Sequence, residues 1–169
     1  MTDHIYLAHH GIKGMKWGVR RFQNEDGSLT SAGKRRAERN RKYIQREVAY
    51  QNKKIDSHNA SAKAYRDSAA DIRKRGFEML KAQGYSDKDA REAVRLTSAR
   101  RDTEAQWHEH QAKHLRAYNT RIQNANVDEM TRRQVWELIQ NEGNVTLNEI
   151  NSSWVEPDST KEYADAIRR

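Results

Sequence analysis

The chain has 169 residues and a formal net charge of +8, from 32 Lys and Arg against 24 Asp and Glu. Val, Ile, Leu and Phe supply only 25 residues, about 15% of the chain, and chains below roughly 20% are poor candidates for an ordinary hydrophobic core. No run approaches the roughly 18 apolar residues of a membrane span. These numbers argue against a transmembrane protein and against a compact sandwich, barrel or doubly wound sheet.

The content of helix breakers favours long, solvated helices. One Pro and eight Gly are fewer than low-complexity disordered chains usually contain. Without cysteine the chain has no disulfide framework and no thiolate metal site. The first 30 residues lack the apolar core of a secretory signal peptide, so we expect the protein in a reducing cytoplasm or in a particle assembled there.

The charge is distributed unevenly along the chain. Residues 11–46 carry a net charge of +8, residues 47–126 carry +5, and residues 127–169 carry −4. A basic front predicts an anionic partner such as DNA or RNA, bound without sequence preference. The same asymmetry would also allow the basic residues 11–46 of one molecule, its front, to bind the acidic residues 127–169 of another, its rear.

Residues 1–30, which we call the N-terminal module, are predicted to be irregular, Gly-rich and basic. Gly11, Gly14 and Gly18 fall within eight residues, and each glycine costs a helix about 1 kcal/mol relative to alanine. Asp26 and Gly27 indicate a turn, and Ser28 or Thr30 is suited to cap the next helix.

The cations of the N-terminal module and of the helix start that follows it are candidates for binding phosphate. Glycine amides let a phosphate approach the backbone closely, and an indole can stack on a base. The candidate nucleic-acid or docking residues are Lys13, Lys16, Trp17, Arg20, Arg21, Lys34, Arg35 and Arg36. The alternative interpretation is a small folded plug in which the apolar side chains form a mini-core and the cations face water. The GxxxxGK[ST] spacing of a phosphate-binding Walker loop is absent.

Residues 31–126 are predicted to form an all-α, elongated, coiled-coil-like αα-hairpin. A heptad frame over 31–83 gives two seams, namely Val48, Ile55, Ala62, Ala69 and Gly76, and Ile44, Gln51, His58, Tyr65, Ile72 and Met79. Gly84 suits a helix C-terminus, and Ser86 with Asp89 resembles a capping box. A second helix over about 87–125 would use the seam Ala90, Val94, Thr97, Arg101, Glu104, His108, Gln111, Leu115, Tyr118 and Ile122.

Residues 127–169 are predicted to be a short, acidic, helical C-terminal segment. Asp128 is expected to cap a helix that Gly143 ends, and weak alternation over 145–149 is compatible with an extended stretch. Ser159 would cap a last helix carrying Tyr163 and Ile167. Trp107, Trp136 and Trp154 are interpreted as core or interface anchors, with Trp107 packing against Trp136.

Histidines are the candidate metal ligands. His9 and His10 are adjacent, so they do not face the same way on a helix or strand. His110 and His114 share a helix face, but Gln111 stands where the zincin motif has glutamate. We expect no metal and no other cofactor. The acidic residues are spread among Lys and Arg as helix-face charges, so we expect a protein that is not an enzyme.

The string HHGIKGMKWGVRR at residues 9–21 closely resembles a module that recurs in tailed-phage and prophage proteins of gut Firmicutes. The resemblance covers about 28 residues, from residue 7 to residue 34. Such proteins are usually labelled structural or head-associated, and similar modules are joined to different partners. The resemblance therefore implies a phage origin and a docking role, without implying a catalytic function.

Two functions follow as hypotheses. The first is a virion protein that the N-terminal module docks to phage head proteins, close to packaged nucleic acid. The second is a phage effector in the host cytoplasm that inhibits a defence nuclease, in the manner of an anti-CRISPR protein, by binding the nuclease or occupying its nucleic-acid channel. In either case the thin apolar stripe is compatible with self-association through the hairpin, because isolated helices depend on packing for stability.

Overall fold

The computed structural model describes residues 21–24, 26–158 and 161–162, and across these residues the regular secondary structure is three α-helices. They are α1 (Ser31–Ala82), α2 (Asp87–Asn124) and α3 (Arg132–Ser153). The all-α fold with a long αα-hairpin is therefore confirmed. At 1.5 Å per residue, the 52 residues of α1 extend about 78 Å.

The start of α1 is fixed by a cap and by a turn that precedes it. Thr30 has extended backbone angles, and its Oγ1 accepts a hydrogen bond from the amide of Gly33 at 3.1 Å. Before it, Asp26 and Gly27 form the predicted turn, Gly27 has φ +83°, and Gln23 and Leu29 form an antiparallel bridge. This short turn brings Phe22 back against the first helical turn, where Thr30 N donates to its carbonyl.

The hairpin turn closes by the hydrogen bonds of a Schellman motif. Gly84, with φ +91°, donates to the carbonyl of Lys81 at 3.0 Å, and Tyr85 donates to that of Leu80 at 3.1 Å. Ser86 then caps α2 by accepting from the amide of Asp89. The helix end at Gly84 and the cap at Ser86 are confirmed, although the Asp89 carboxylate accepts from the Ser86 hydroxyl rather than completing a capping box with the Ser86 amide. The turn makes α1 and α2 neighbours along their length.

The interface of α1 and α2 is built from small residues. On α1 the first predicted seam is buried from Val48 to Ala69. On α2 the continuous buried line lies one residue beyond most of the predicted seam, at Ser98, Ala105, Ala112 and Asn119. Small side chains let two helices approach closely, so the middle of the contact follows the alanines. Ala90, Tyr118 and Ile122 of the predicted seam are buried as expected.

Helix α3 differs from its prediction at both ends. Thr131, rather than Asp128, caps it, in a complete capping box with Gln134. The helix runs through Gly143 to Ser153, so the expected stop at Gly143 and the extended stretch at 145–149 are wrong. The reason is burial: Thr146 and Ile150 continue the buried face of Val135 and Ile139, which outweighs the helix penalty of one glycine of about 1 kcal/mol.

One apolar core joins the three helices near the open end of the hairpin, which is the end opposite the turn at Gly84. Its members are Ile44, Val48, Tyr118, Ile122, Val127, Val135 and Ile139. Arg121 adds polar links from α2 to α3, because its guanidinium donates to Glu142 at 2.6 Å and to the Thr146 hydroxyl at 2.7 Å. The core therefore sets where α3 lies against the hairpin.

The tryptophans are arranged differently from the prediction. Trp107 packs against Trp154, with ring centroids 4.9 Å apart in an edge-to-face arrangement, while Trp136 is 52% exposed. Within the described residues, no helix has both the length and the hydropathy needed to cross a membrane. The last predicted helix, from Ser159 through Tyr163 to Ile167, lies largely outside the described residues.

Candidate nucleic-acid interface

A basic groove lies between the first third of α1 and the first turn of α3. It has a volume of about 510 Å³ and is lined by Arg36, Arg39, Asn40, Lys42, Tyr43, Arg46, Arg132 and Val135. Five of these eight described residues are cations, and none is acidic. We call this feature the basic groove.

The α1 wall of the groove follows from helical spacing. Arg39, Lys42, Tyr43 and Arg46 are related by steps of three and four residues, so they lie on one face of the helix. The neighbouring positions Asn40 and Ile44 are buried and anchor this part of α1 to the rest of the protein. The cations are therefore presented by a rigid helix rather than by a loop.

The α3 wall is held in place by contacts between α1 and the loop that precedes α3. The Asn40 amide donates to the carbonyls of Val127 and Met130, both at 2.8 Å. Arg41 forms a two-bond ion pair with Asp128, which raises the pKa of the guanidinium chiefly through the hydrogen bond. These contacts bring the start of α3 to α1, although the two segments are far apart in sequence.

The cations of the groove differ in how far neighbouring acids neutralise them. Lys42 pairs with Glu38 at 2.8 Å, and this hydrogen bond lowers the pKa of the Glu38 carboxyl. Among the described residues, Arg39, Arg46 and Arg132 have no ion-pair partner within 4.0 Å. No described acidic side chain therefore neutralises these three charges.

Helix polarity adds to this positive field. The first turns of α1 and α3 contain no acidic residue, although acidic side chains commonly offset the partial positive charge of a helix N-terminus. Arg132 and Arg133 occupy the first two positions of α3. The open end of the hairpin therefore combines side-chain cations with the positive end of a helix.

An apolar hollow adjoins the groove. It has a volume of about 420 Å³, its surface is largely apolar, and it is lined by Tyr43, Arg132, Arg133 and Trp136. Tyr43 is 40% exposed and Trp136 is 52% exposed. Arg133 pairs with Glu137 at 2.7 Å, which raises the pKa of Arg133. We call this feature the aromatic hollow.

The structure gives the predicted cations of the α1 start different roles. Arg36 lines the groove, but its guanidinium also covers the Phe22 ring at 3.9 Å and donates to the carbonyl of Glu129 at 2.9 Å. Arg21 stands 5.3 Å from the same ring. Lys34 and Arg35 are exposed within the first five residues of α1 and do not line the groove.

The remaining predicted site residues lie outside the described residues. They are Gly11, Lys13, Gly14, Lys16, Trp17, Gly18 and Arg20. The candidate metal ligands His9 and His10 also lie outside the described residues. Their assignment to docking or nucleic-acid contact stays a prediction.

The second histidine pair contributes to the contact between α2 and α3. His110 Nε2 donates to the carbonyl of Ile150 at 3.1 Å, and His114 Nδ1 lies 3.4 Å from Glu149 Oε2. Their rings meet edge to face with centroids 4.6 Å apart. In the part of the chain that the structure describes, no group of three or more His, Cys, Asp or Glu side chains is arranged to hold a metal ion.

Sequence reasoning missed most of the groove. The spacing of Arg39, Lys42, Tyr43 and Arg46 was a usable signal once a helix over this stretch was predicted. No comparable signal existed for Arg132, Arg133 and Trp136, because they belong to a segment of net negative charge. Only the fold brings them to the basic front of α1.

Comparison with known proteins is informative for the N-terminal segment alone. A model described as a family of unknown function (DUF7211) matches residues 4–24. No curated protein and no solved structure matches the chain. The basic groove and the aromatic hollow lie beyond the matched segment.

Proposed function

We propose that this protein is a non-enzymatic protein of a tailed phage or prophage, associated with the virion head, that binds nucleic acid through the basic groove. The observation that carries nucleic-acid binding is the groove itself, in which two helices present five cations and no acidic lining residue. The resemblance of residues 7–34 to head-associated phage proteins supports the phage origin, and in this proposal the N-terminal module docks the protein in the particle.

A polyanion suits this groove better than a small anion does. Arg39 and Arg46 are seven residues apart on α1, which separates their Cα atoms by about 10.5 Å along the helix axis. Arg132 faces them from α3 across the groove. Cations spread over such a distance can contact more than one phosphate of a strand, and contacts of this kind carry no sequence information by themselves.

Salt dependence of binding tests the groove directly. The affinity of the full chain for a fluorescent oligonucleotide is measured between low and moderate salt, for the wild type and for Arg39→Gln/Arg46→Gln/Arg132→Gln. Removal of each phosphate contact should reduce the slope of log K against log salt by roughly 0.7–0.9. The triple variant should therefore bind more weakly and show a slope flatter by about 2–3.

A matched control removes the same charge elsewhere. Lys74→Gln/Lys88→Gln/Lys113→Gln changes three exposed cations that do not line the groove, and it should keep the wild-type slope. Equal weakening by both triple variants would reduce the effect to net charge and contradict a localised site. Absence of binding by the wild type would overturn nucleic-acid binding altogether.

Protein mass spectrometry of purified virions tests the particle assignment. The proposal expects the chain at a defined copy number per particle. Expression early in infection, absence from the particle and binding to a host nuclease would instead support the phage effector that inhibits a defence system. The gene neighbourhood separates the same alternatives, because portal, protease and capsid genes alongside favour the virion.

A further inference from the structure

We propose that the ligand of this site is single-stranded nucleic acid, with one base held in the aromatic hollow between Tyr43 and Trp136 while its phosphates lie in the basic groove. This inference rests on the proposed function and specifies which form of nucleic acid the groove binds. It concerns residues outside the segment that resembles phage modules.

The first observation is that the groove and the hollow share two residues. Tyr43 and Arg132 line both features, so a ligand that enters the hollow is already in reach of the groove cations. The shared cation, Arg132, has no ion-pair partner within 4.0 Å among the described residues. One nucleotide can therefore place its base against the aromatic rings and its phosphate against the Arg132 guanidinium.

The second observation is that two large aromatic side chains are left exposed beside cations. Trp136 follows Val135, which is 1% exposed and belongs to the core, yet Trp136 is 52% exposed. On the wall formed by α1, Tyr43 precedes the buried Ile44. Both aromatic residues line the same hollow as Arg132 and Arg133, so a ligand that stacks on them also meets cations.

Duplex nucleic acid does not satisfy both features. In a duplex the base faces are stacked on one another, so a protein reaches phosphates and base edges but not a base face. A single strand can splay a base out onto an aromatic ring. The cations alone would serve either form, whereas the aromatic hollow is useful only to an unpaired base.

The hollow is also suited to any base. Its surface is largely apolar, and the Arg133 side chain at its edge is paired with Glu137. Stacking is tolerant of sequence because every base presents a π-face. We therefore expect a preference for single strands without a strong preference among bases of similar stacking strength.

The test compares three ligands of equal length on the full chain: a single-stranded oligonucleotide, a duplex and an abasic single strand. Trp136→Ala should weaken binding of the single strand by roughly 5- to 150-fold, the range that corresponds to one stacked base. It should leave the salt slope unchanged and alter duplex and abasic affinities less than about twofold. Trp136→Phe should recover part of the affinity.

Tyr85→Ala is the matched control, because Tyr85 is 49% exposed at the far turn of the hairpin and should leave all three affinities unchanged. Circular dichroism of each variant confirms that the helices are retained. Equal weakening for all three ligands, or no weakening for the single strand, would overturn the base-stacking inference. In the second case the groove variants would still flatten the salt slope, so the proposed function would stand.

A stronger preference of the wild type for duplex would also overturn the inference. If neither single strand nor duplex binds, then the proposed function fails as well, and titration with an acidic peptide would show whether the groove receives a protein. These outcomes keep failure of the single-strand inference separate from failure of nucleic-acid binding.

Discussion

The Nδ1 atoms of His58 and His108 lie 3.0 Å apart across the interface of α1 and α2. At this distance one ring donates a proton and the other accepts it, so the contact cannot persist when both rings are protonated. Tyr65 stacks on His108 with ring centroids 5.6 Å apart, Arg101 stands over Tyr65, and Lys54 lies near His58. A titratable pair therefore sits within the longest packing interface of the described helices.

Stability should fall in mildly acidic solution because of this pair. Burial first, and then the charges of His108 and Lys54, lower the pKa of His58. The unfolded chain therefore binds a proton at a higher pH than the folded chain, and the free energy of unfolding decreases as pH falls below about 6.5. Urea denaturation between about pH 7.5 and 5 measures this, and His58→Gln should flatten the dependence. An unchanged dependence in that variant would contradict the assignment.

Two glycines should respond to alanine in opposite directions. Gly143 lies inside α3 with open space where the methyl group of an alanine would stand, so Gly143→Ala should raise the free energy of unfolding by about 0.5–1 kcal/mol. Gly84 has φ +91°, so Gly84→Ala should lower it by roughly 1–2 kcal/mol. Thermal and urea denaturation measure the stability of both variants. A destabilising Gly143→Ala would show that α3 ends at Gly143 after all.

Gly33 should tolerate no side chain. A Cβ at this position would overlap the carbonyl oxygen of Phe22 and lie 3.3 Å from the Leu29 Cβ, and overpacking of this kind typically costs about 1–3 kcal/mol. Gly33→Ala should therefore displace residues 21–24 from α1 and speed tryptic cleavage after Arg21. Lys34→Ala, at an exposed neighbouring position, should change neither the stability nor that cleavage rate.

Trp17 is our candidate anchor of the N-terminal module. Tryptophan is enriched among the residues that dominate interfaces, and truncating such a residue typically costs about 2 kcal/mol or more of binding. Trp17→Ala in the full chain should abolish incorporation into phage particles while the helical circular dichroism stays nearly intact. Incorporation that survives both Trp17→Ala and deletion of residues 1–34 would remove the docking role and favour the host-directed inhibitor.

Local signals in the sequence predicted the hairpin well. The N-cap at Thr30, the left-handed Gly84 and the cap at Ser86 each depend on hydrogen bonds within a few residues. The apolar stripe of α1 likewise follows from its own periodicity. Caps, turns and helical stripes can be predicted from sequence because the residues that form them are close together in the chain.

The length of α3 could not be predicted from local sequence signals in the same way. Gly143 is a helix breaker by local propensity, and only contacts with distant residues overrule it. Arg121 of α2 donates to Glu142, Thr146 and Glu149 on both sides of that glycine. The predicted cap, Asp128, forms an ion pair with Arg41 instead, and Thr131 caps the helix.

The sequence by itself determined the class of the protein: helical, elongated, basic at the front and poor in apolar residues, because composition and periodicity set these properties. The candidate site was decided only by tertiary structure. Arg132 and Trp136 belong to the acidic rear of the chain, and they face Arg39 and Tyr43 because Val135, Ile139 and Asn40 are buried together with the core. Burial of these few side chains, from segments far apart in sequence, brings the start of α3 against the first third of α1. The two segments then form one surface, which the residue pattern of neither helix specifies alone.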